Sequence, residues 1–163
     1  MTITSLIVNQ LKEVRRQSLR IWKGLPPEFY LWRPDPEARH MLEVIRHVLK
    51  GDKWFQYIIE HRGDINNYDV FNDDRPYTDL QNELDFHCGI REEFLRYVSA
   101  FTDEEMQSVK IYRTDKGGAE WERPLADYLL RMIYHESVHA GQILANMRAM
   151  GVERPYVWDD VDG

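Results

Sequence analysis

Cysteine is almost missing from this sequence: Cys88 is the only one in 163 residues. That excludes an internal disulfide framework and any cysteine-rich zinc module. Long apolar runs are missing too, and no stretch approaches the ~20 residues needed to span a bilayer. The opening Met1–Val8 segment is too short for a secretory leader and is followed by charged residues, so a cytoplasmic protein is expected. Positive charge is not in excess: 21 Lys and Arg stand against 28 Asp and Glu, a net charge of −7 spread along the chain. Nucleic acid and anionic membranes are therefore poor candidate partners. There is no internal repeat, low-complexity tract, P-loop, dinucleotide fingerprint or nucleophilic triad. What remains is 43% hydrophobic and 30% charged, the composition of one soluble globular domain over residues 1–163 with a substantial core.

Helical periodicity accounts for most of the chain. Thr4–Lys23 carries Leu6, Ile7, Leu11, Val14, Leu19, Ile21 and Trp22 among polar residues, and Gly24 with Pro26-Pro27 stops it. Leu25–Glu37 holds four prolines and cannot be a regular element; its Tyr30 and Trp32 are expected to tuck against the helices. A second helix runs from about Ala38 to His61, with His40, Val44, His47, Gly51, Trp54 and Ile58 on one face. Gly51 costs stability there, for which a close helix contact or room beside a metal or substrate is the reason. Arg62–Tyr77 is a loop rich in Asn, Asp, Gly and Pro. Thr78 to Gln81 has capping-box spacing and opens a third helix to about Ala100.

Thr102–Glu105 begins a short extra turn, and Val109–Arg123 reads as a small hairpin turning at Lys116-Gly117-Gly118. The last helix is Pro124–Gly151, apolar nearly all round and expected to be largely buried. Beyond it Tyr156 and Trp158 can dock before an acidic end that frays. The fold class is all-α: a four-helix bundle with a small irregular or hairpin connection before its last helix.

The chemistry lies on that last helix. At ~100° per residue Tyr128, Met132, His135, His139, Gln142 and Asn146 share one stripe. Two imidazoles one turn apart on a buried helix point to a metal. His135-Glu136-Ser137-Val138-His139 also matches H-E-x-x-H, the zincin pattern with Glu136 as base. A zincin needs a further ligand downstream, yet no histidine follows His139 and Glu153 lies beyond the helix stop. His47, at the middle of the apolar face of the second helix, is the better third ligand. If the two helices adjoin, three imidazoles converge at ~2.0–2.1 Å from one ion and leave positions open for water or substrate. Zinc, nickel, iron and copper all suit such a donor set. Ligating imidazoles must be neutral, so metal loss is expected below about pH 6.

Other candidates rank lower. His40, at the start of the second helix, is expected to be exposed and is a reserve ligand. His61 and His87 have no partner at ligand spacing, and Cys88 reads as a buried small apolar residue. Glu136 sits ~100° round the helix from His135, as a base or as a surface residue. Gln142 is placed to orient a ligand or to support a ligating imidazole.

Trp32-Arg33-Pro34, then Leu42-Glu-Val-Ile-Arg-His47-Val, then His135-Glu-Ser-Val-His139-Ala-Gly141-Gln142-Ile together resemble the DinB/YfiT family of metal-dependent proteins. The resemblance spans nearly the whole chain. It implies a four-helix bundle in which His47, His135 and His139 bind a divalent ion, commonly nickel or zinc, with Gln142 matching the family's glutamine. It also implies a homodimer, and a small-molecule substrate handled with a low-molecular-weight thiol, as in thiol transferases and maleylpyruvate isomerases. Three functions follow as expectations: a metal-dependent thiol S-transferase or hydrolase, a stress-related binding module with a structural or vestigial metal, and a zincin-like peptidase.

Overall fold

Local capping decides where each helix begins. In the computed structural model, which describes residues 1–66, 73–116 and 122–157, α1 spans Ile3–Lys23 and opens with a reciprocal cap. The Thr2 hydroxyl accepts from the Ser5 N–H at 3.0 Å and the Ser5 hydroxyl accepts from the Thr2 N–H at 2.9 Å. Helix α2 spans Met41–Glu60, a later start than the periodicity suggests, because His40 is its cap. His40 Nδ1 accepts from the Glu43 N–H at 3.2 Å while Glu43 Oε2 accepts from the His40 N–H at 2.8 Å. The expectation of an exposed reserve ligand is thus corrected: His40 is buried, its ring lies edge-on to Tyr77, and the cap uses its lone pair.

Helix α3 spans Leu80–Ser99. The box expected between Thr78 and Gln81 gives way to Asp79, whose carboxylate accepts from the Asn82 N–H at 2.8 Å; an ionised acceptor is the stronger cap. A short α4, Asp103–Ser108, carries its own Thr102–Glu105 box. Strands β1 (Lys110–Tyr112) and β2 (Glu122–Pro124) pair antiparallel with Ile111 opposite Arg123. These are the arms of the expected hairpin; its Gly117-Gly118 turn lies outside the described residues. Gly63, at φ +98°, lets the chain leaving α2 lie against β1, where a Cβ would overlap the Tyr112 carbonyl. Helix α5 spans Leu125–Ala149 and stops at Gly151, which takes the left-handed conformation at φ +72°.

The four long helices close a ring, α1 packing on α3 and α5 and α2 packing on the same two. This is the expected bundle. Its core falls into two apolar clusters. One holds Leu11, Phe55, Ile58, Phe94, Leu129 and Met132; the other holds Ile21, Trp22, Ile45, Leu49, Ile143 and Met147. Tyr30 and Trp32 pack on the second cluster, as do Val152 and Val157 of the tail. The tail thus docks through valines while the Tyr156 ring stays exposed; Trp158 is outside the described residues.

Two expectations need correction. Helix α5 is not buried all round: Leu130, Tyr134 and Val138 sit on an outer face, Tyr134 with 71% of its surface exposed. Cys88 is exposed rather than buried, because its position on α3 faces away from the ring. No described helix is long and apolar enough to cross a membrane.

Candidate metal centre

Because α2 and α5 adjoin, residues 88 positions apart meet: His47 Nε2 and His135 Nε2 are 3.0 Å from each other. The His139 ring completes the group, its centroid 4.9 Å from that of His47 and 4.6 Å from that of His135. One donor nitrogen from each imidazole lies within 4.8 Å of the other two. Nitrogens bound at ~2.1 Å to a common ion stand roughly 3–3.5 Å apart, so the 3.0 Å between His47 and His135 fits two ligands of one ion, with His139 within reach as a third. Gln142 Oε1 stands 2.9 Å from His139 Nδ1. An amide oxygen can only accept, so Nδ1 carries the proton and Nε2 keeps its lone pair.

Electrostatics disfavour the protonated form of His47 and His135. Burial, then the Arg39 charge and the two neighbouring imidazoles, push His47 down to about 4. Burial and His139 also lower His135. Three imidazoles with no carboxylate or thiolate among them suit zinc, nickel, copper or iron, and do not suit magnesium or calcium.

A cleft of about 630 Å³ adjoins the imidazoles. Trp54, Phe55, Tyr128 and Val138 give it apolar walls, and Lys50, Arg113 and Arg131 also line it. Gly51 explains part of the space. No atom lies within 4 Å of where its Cβ would be, so of the two reasons considered for this glycine, a close helix contact is excluded and room beside the site stands.

Glu136 turns the other way. It is 2% exposed and accepts two hydrogen bonds from Arg15, at 2.7 Å from Nε and 3.2 Å from Nη2. Arg15 also reaches Asp52 Oδ2 at 3.3 Å, and Arg91 donates to Asp52 Oδ1 at 2.6 Å and to the Leu11 carbonyl. This layer takes one charge from each long helix and separates the two apolar clusters. Burial alone would weaken the Arg15 charge, but Asp52 and Glu136 outweigh it and hold the guanidinium firmly protonated. Sequence reasoning missed the layer. The signal was there: Arg15 four residues after Leu11, Asp52 three before Phe55, Arg91 three before Phe94 and Glu136 four after Met132, each a charge on an apolar stripe.

A second polar cluster joins α2, α3 and the loop between them. Arg46 pairs with Glu83 and Asp73, and Arg75 pairs with both carboxylates as well. His87 is buried beside them and its Nδ1 lies 2.9 Å from the Glu83 carbonyl. Asp73, Glu83 and His87 are close enough for a metal, but two guanidiniums already fill the carboxylates. His61 serves the end of α2, with Nδ1 2.9 Å from the Tyr57 carbonyl.

A four-helix bundle that brings one histidine of its second helix against two on its last defines the class of protein. The sequence model of the DinB superfamily matches residues 10–143, and the chain belongs to that superfamily. Its fold is similar to that of a DinB-like protein from Bacillus subtilis, with a TM-score of 0.71 and 18% identity over 94% of this chain and 99% of that one. A DinB-like protein from Bacillus cereus is similar too, with a TM-score of 0.70 and 16% identity over 93% of this chain and 95% of that one. Identities this low speak to the fold alone. None of the curated proteins matches the chain.

Proposed function

We propose that His47, His135 and His139 hold one divalent ion, nickel or zinc, and that the protein is a metal-dependent enzyme of the thiol S-transferase or hydrolase kind. What carries this reading is the convergence of three imidazoles at the edge of an apolar cleft. An ion there supplies Lewis acidity, lowering the pKa of a thiol or water brought to it. The protein's own groups do the rest. Gln142 fixes the tautomer of His139. Trp54 and Phe55 give the cleft apolar walls beside His47. Tyr128, pushed up to about 12 by burial, stays a protonated phenol and adds no negative charge.

Glu136 has no part in the chemistry, because Arg15 occupies both its oxygens on the core side. The peptidase reading loses its general base with it. The low-molecular-weight thiol and the homodimer remain part of the proposal. The exposed Leu130, Tyr134 and Val138 are where a second copy would bury apolar surface, at the rim of the cleft that Tyr134 and Val138 also line.

Elemental analysis of protein stripped by chelator and reloaded should give about one nickel or zinc per chain, and none in His135→Ala. Reloaded protein should then turn over a small electrophile with an added thiol, and stripped protein should not. A chain that refuses both metals would end the proposal. Full metal loading without turnover would leave the binding-module alternative in its place.

A further inference from the structure

Two helical turns separate His47 from Trp54 on α2, and two separate Tyr128 from His135 on α5; all four residues line one cleft. Two turns rise ~10 Å along a helix axis, so the cleft extends about that far from the imidazoles. It ends at a second polar pair, Tyr128 and Arg113. Phe55 lies between the two ends, its ring centroid 6.3 Å from that of His135 and 5.3 Å from that of Tyr128. Gly51, midway along α2 between His47 and Trp54, leaves this stretch open.

The far end is a prepared hydrogen-bond donor. Arg113 donates from Nε and Nη2 to Asp115 at 2.7 and 2.6 Å, and from Nη1 to the Tyr128 hydroxyl at 3.3 Å. A guanidinium can only donate, so the phenol oxygen accepts and its own proton is directed elsewhere. Tyr128 is 3% exposed, and among the described residues no acceptor takes that proton. Asp and Glu are absent from the described residues that line the cleft, so its walls offer no carboxylate. Buried donors are ordinarily paired, and the bond from Arg113 polarises this O–H into a stronger donor. Burial pushes the phenol up to about 12, so the proton is shared in a hydrogen bond and is not given away.

We propose that the Tyr128 hydroxyl donates to a carbonyl oxygen of the ligand, so that the cleft selects a small apolar molecule with a carbonyl at the end away from the imidazoles. This names the substrate class of the site described above and rests on that reading of the cleft. In the competing account water satisfies the phenol, and the cleft takes apolar molecules whether or not they carry a carbonyl.

The probes are benzylacetone and the isosteric alkene in which a methylene group replaces the ketone oxygen. Both are titrated by calorimetry into the full-length chain and into Tyr128→Phe, each once stripped by chelator and once zinc-loaded. The ratio of ketone to alkene affinity should fall at least ~5-fold in Tyr128→Phe in both forms, as expected for the net worth of one hydrogen bond. The infrared carbonyl stretch of the ketone bound to the unsubstituted chain should lie below its frequency in hexane. An unchanged ratio, a change confined to the zinc-loaded form, or no binding of the ketone at millimolar concentration would each overturn the inference. Should Tyr128→Phe not fold, the stretch decides, and a hexane-like frequency overturns it. A chain that takes no zinc defeats the metal reading instead, and the stripped-protein titration still decides this one.

Discussion

His135 and Glu136 are consecutive residues, and the polar groups they join could hardly differ more. Glu136 belongs to the closed layer of Arg15, Asp52 and Arg91, where two guanidiniums and two carboxylates are buried and bonded to one another. His135 belongs to the half-buried imidazole group, whose ring nitrogens converge beside an open cleft. Both groups draw on α2 and α5 at the same height of the bundle. What separates them is saturation. Charges that satisfy one another lock helices together and have nothing left for a ligand; neutral donors aimed at a common point make a site and add little to stability.

The largest effect should come from opening the closed layer. Asp52→Ala leaves Arg15 and Arg91 without their shared carboxylate and should cost about 3–5 kcal/mol, read as a urea midpoint. Replacing Arg15 and Glu136 together by Met and Leu should cost less than Glu136→Ala alone, because no charge is stranded. If Asp52→Ala cost under ~1 kcal/mol, water would have to reach the layer and the contrast would disappear. The imidazole side should behave in the opposite way: His135→Ala should abolish metal uptake yet change the stability of stripped protein by no more than about 1 kcal/mol.

Acid sharpens the contrast further. Burial, ahead of all other causes, lowers His40, His47, His87 and His135, so these rings are neutral in the folded chain. An unfolded imidazole takes its proton near pH 6.5. The unfolded state therefore binds more protons below that value, and stability rises with pH through this window. Stripped protein should hold its full stability above about pH 6.5 and lose it progressively as pH falls toward about 4, the value of His47. Metal release should follow the same window, deeper in acid than the pH 6 expected of ordinary histidines. Equal urea midpoints at pH 7 and 4.5 would show that water reaches the rings.

Two smaller effects probe the edges of the site. Gln142→Ala frees the His139 tautomer and should weaken metal binding by about 10-fold in a chelator competition. Gly51→Ala points a methyl into the cleft, where nothing opposes it, and should raise helix stability by about 0.5–1 kcal/mol. A loss there would place Gly51 against packed neighbours after all.

Much of this was legible before any coordinates. The C-terminal ends of α1 and α5 follow from Gly24 and Gly151, and the hairpin arms from their spacing about a Gly-Gly pair, because stops and turns are decided within a few residues. The Thr2 cap of α1 was not read from the sequence. The errors are local competitions that spacing alone does not resolve. Asp79 took the cap of α3 from Thr78 because a carboxylate outbids a hydroxyl, and His40 became a cap because its imidazole reaches the Glu43 N–H.

The chain alone settled its four long helices, their apolar stripes and the pairing of His135 with His139, since all of these depend on the 3.6-residue turn and on neighbours in sequence. Only the tertiary structure decided that His47 would join that pair, that Glu136 would turn to Arg15 121 residues away, and that Lys50 and Arg131 would share a cleft. Which helices lie side by side, and which face each shows the other, emerges from burying every stripe at once, and no single stretch of sequence contains that choice.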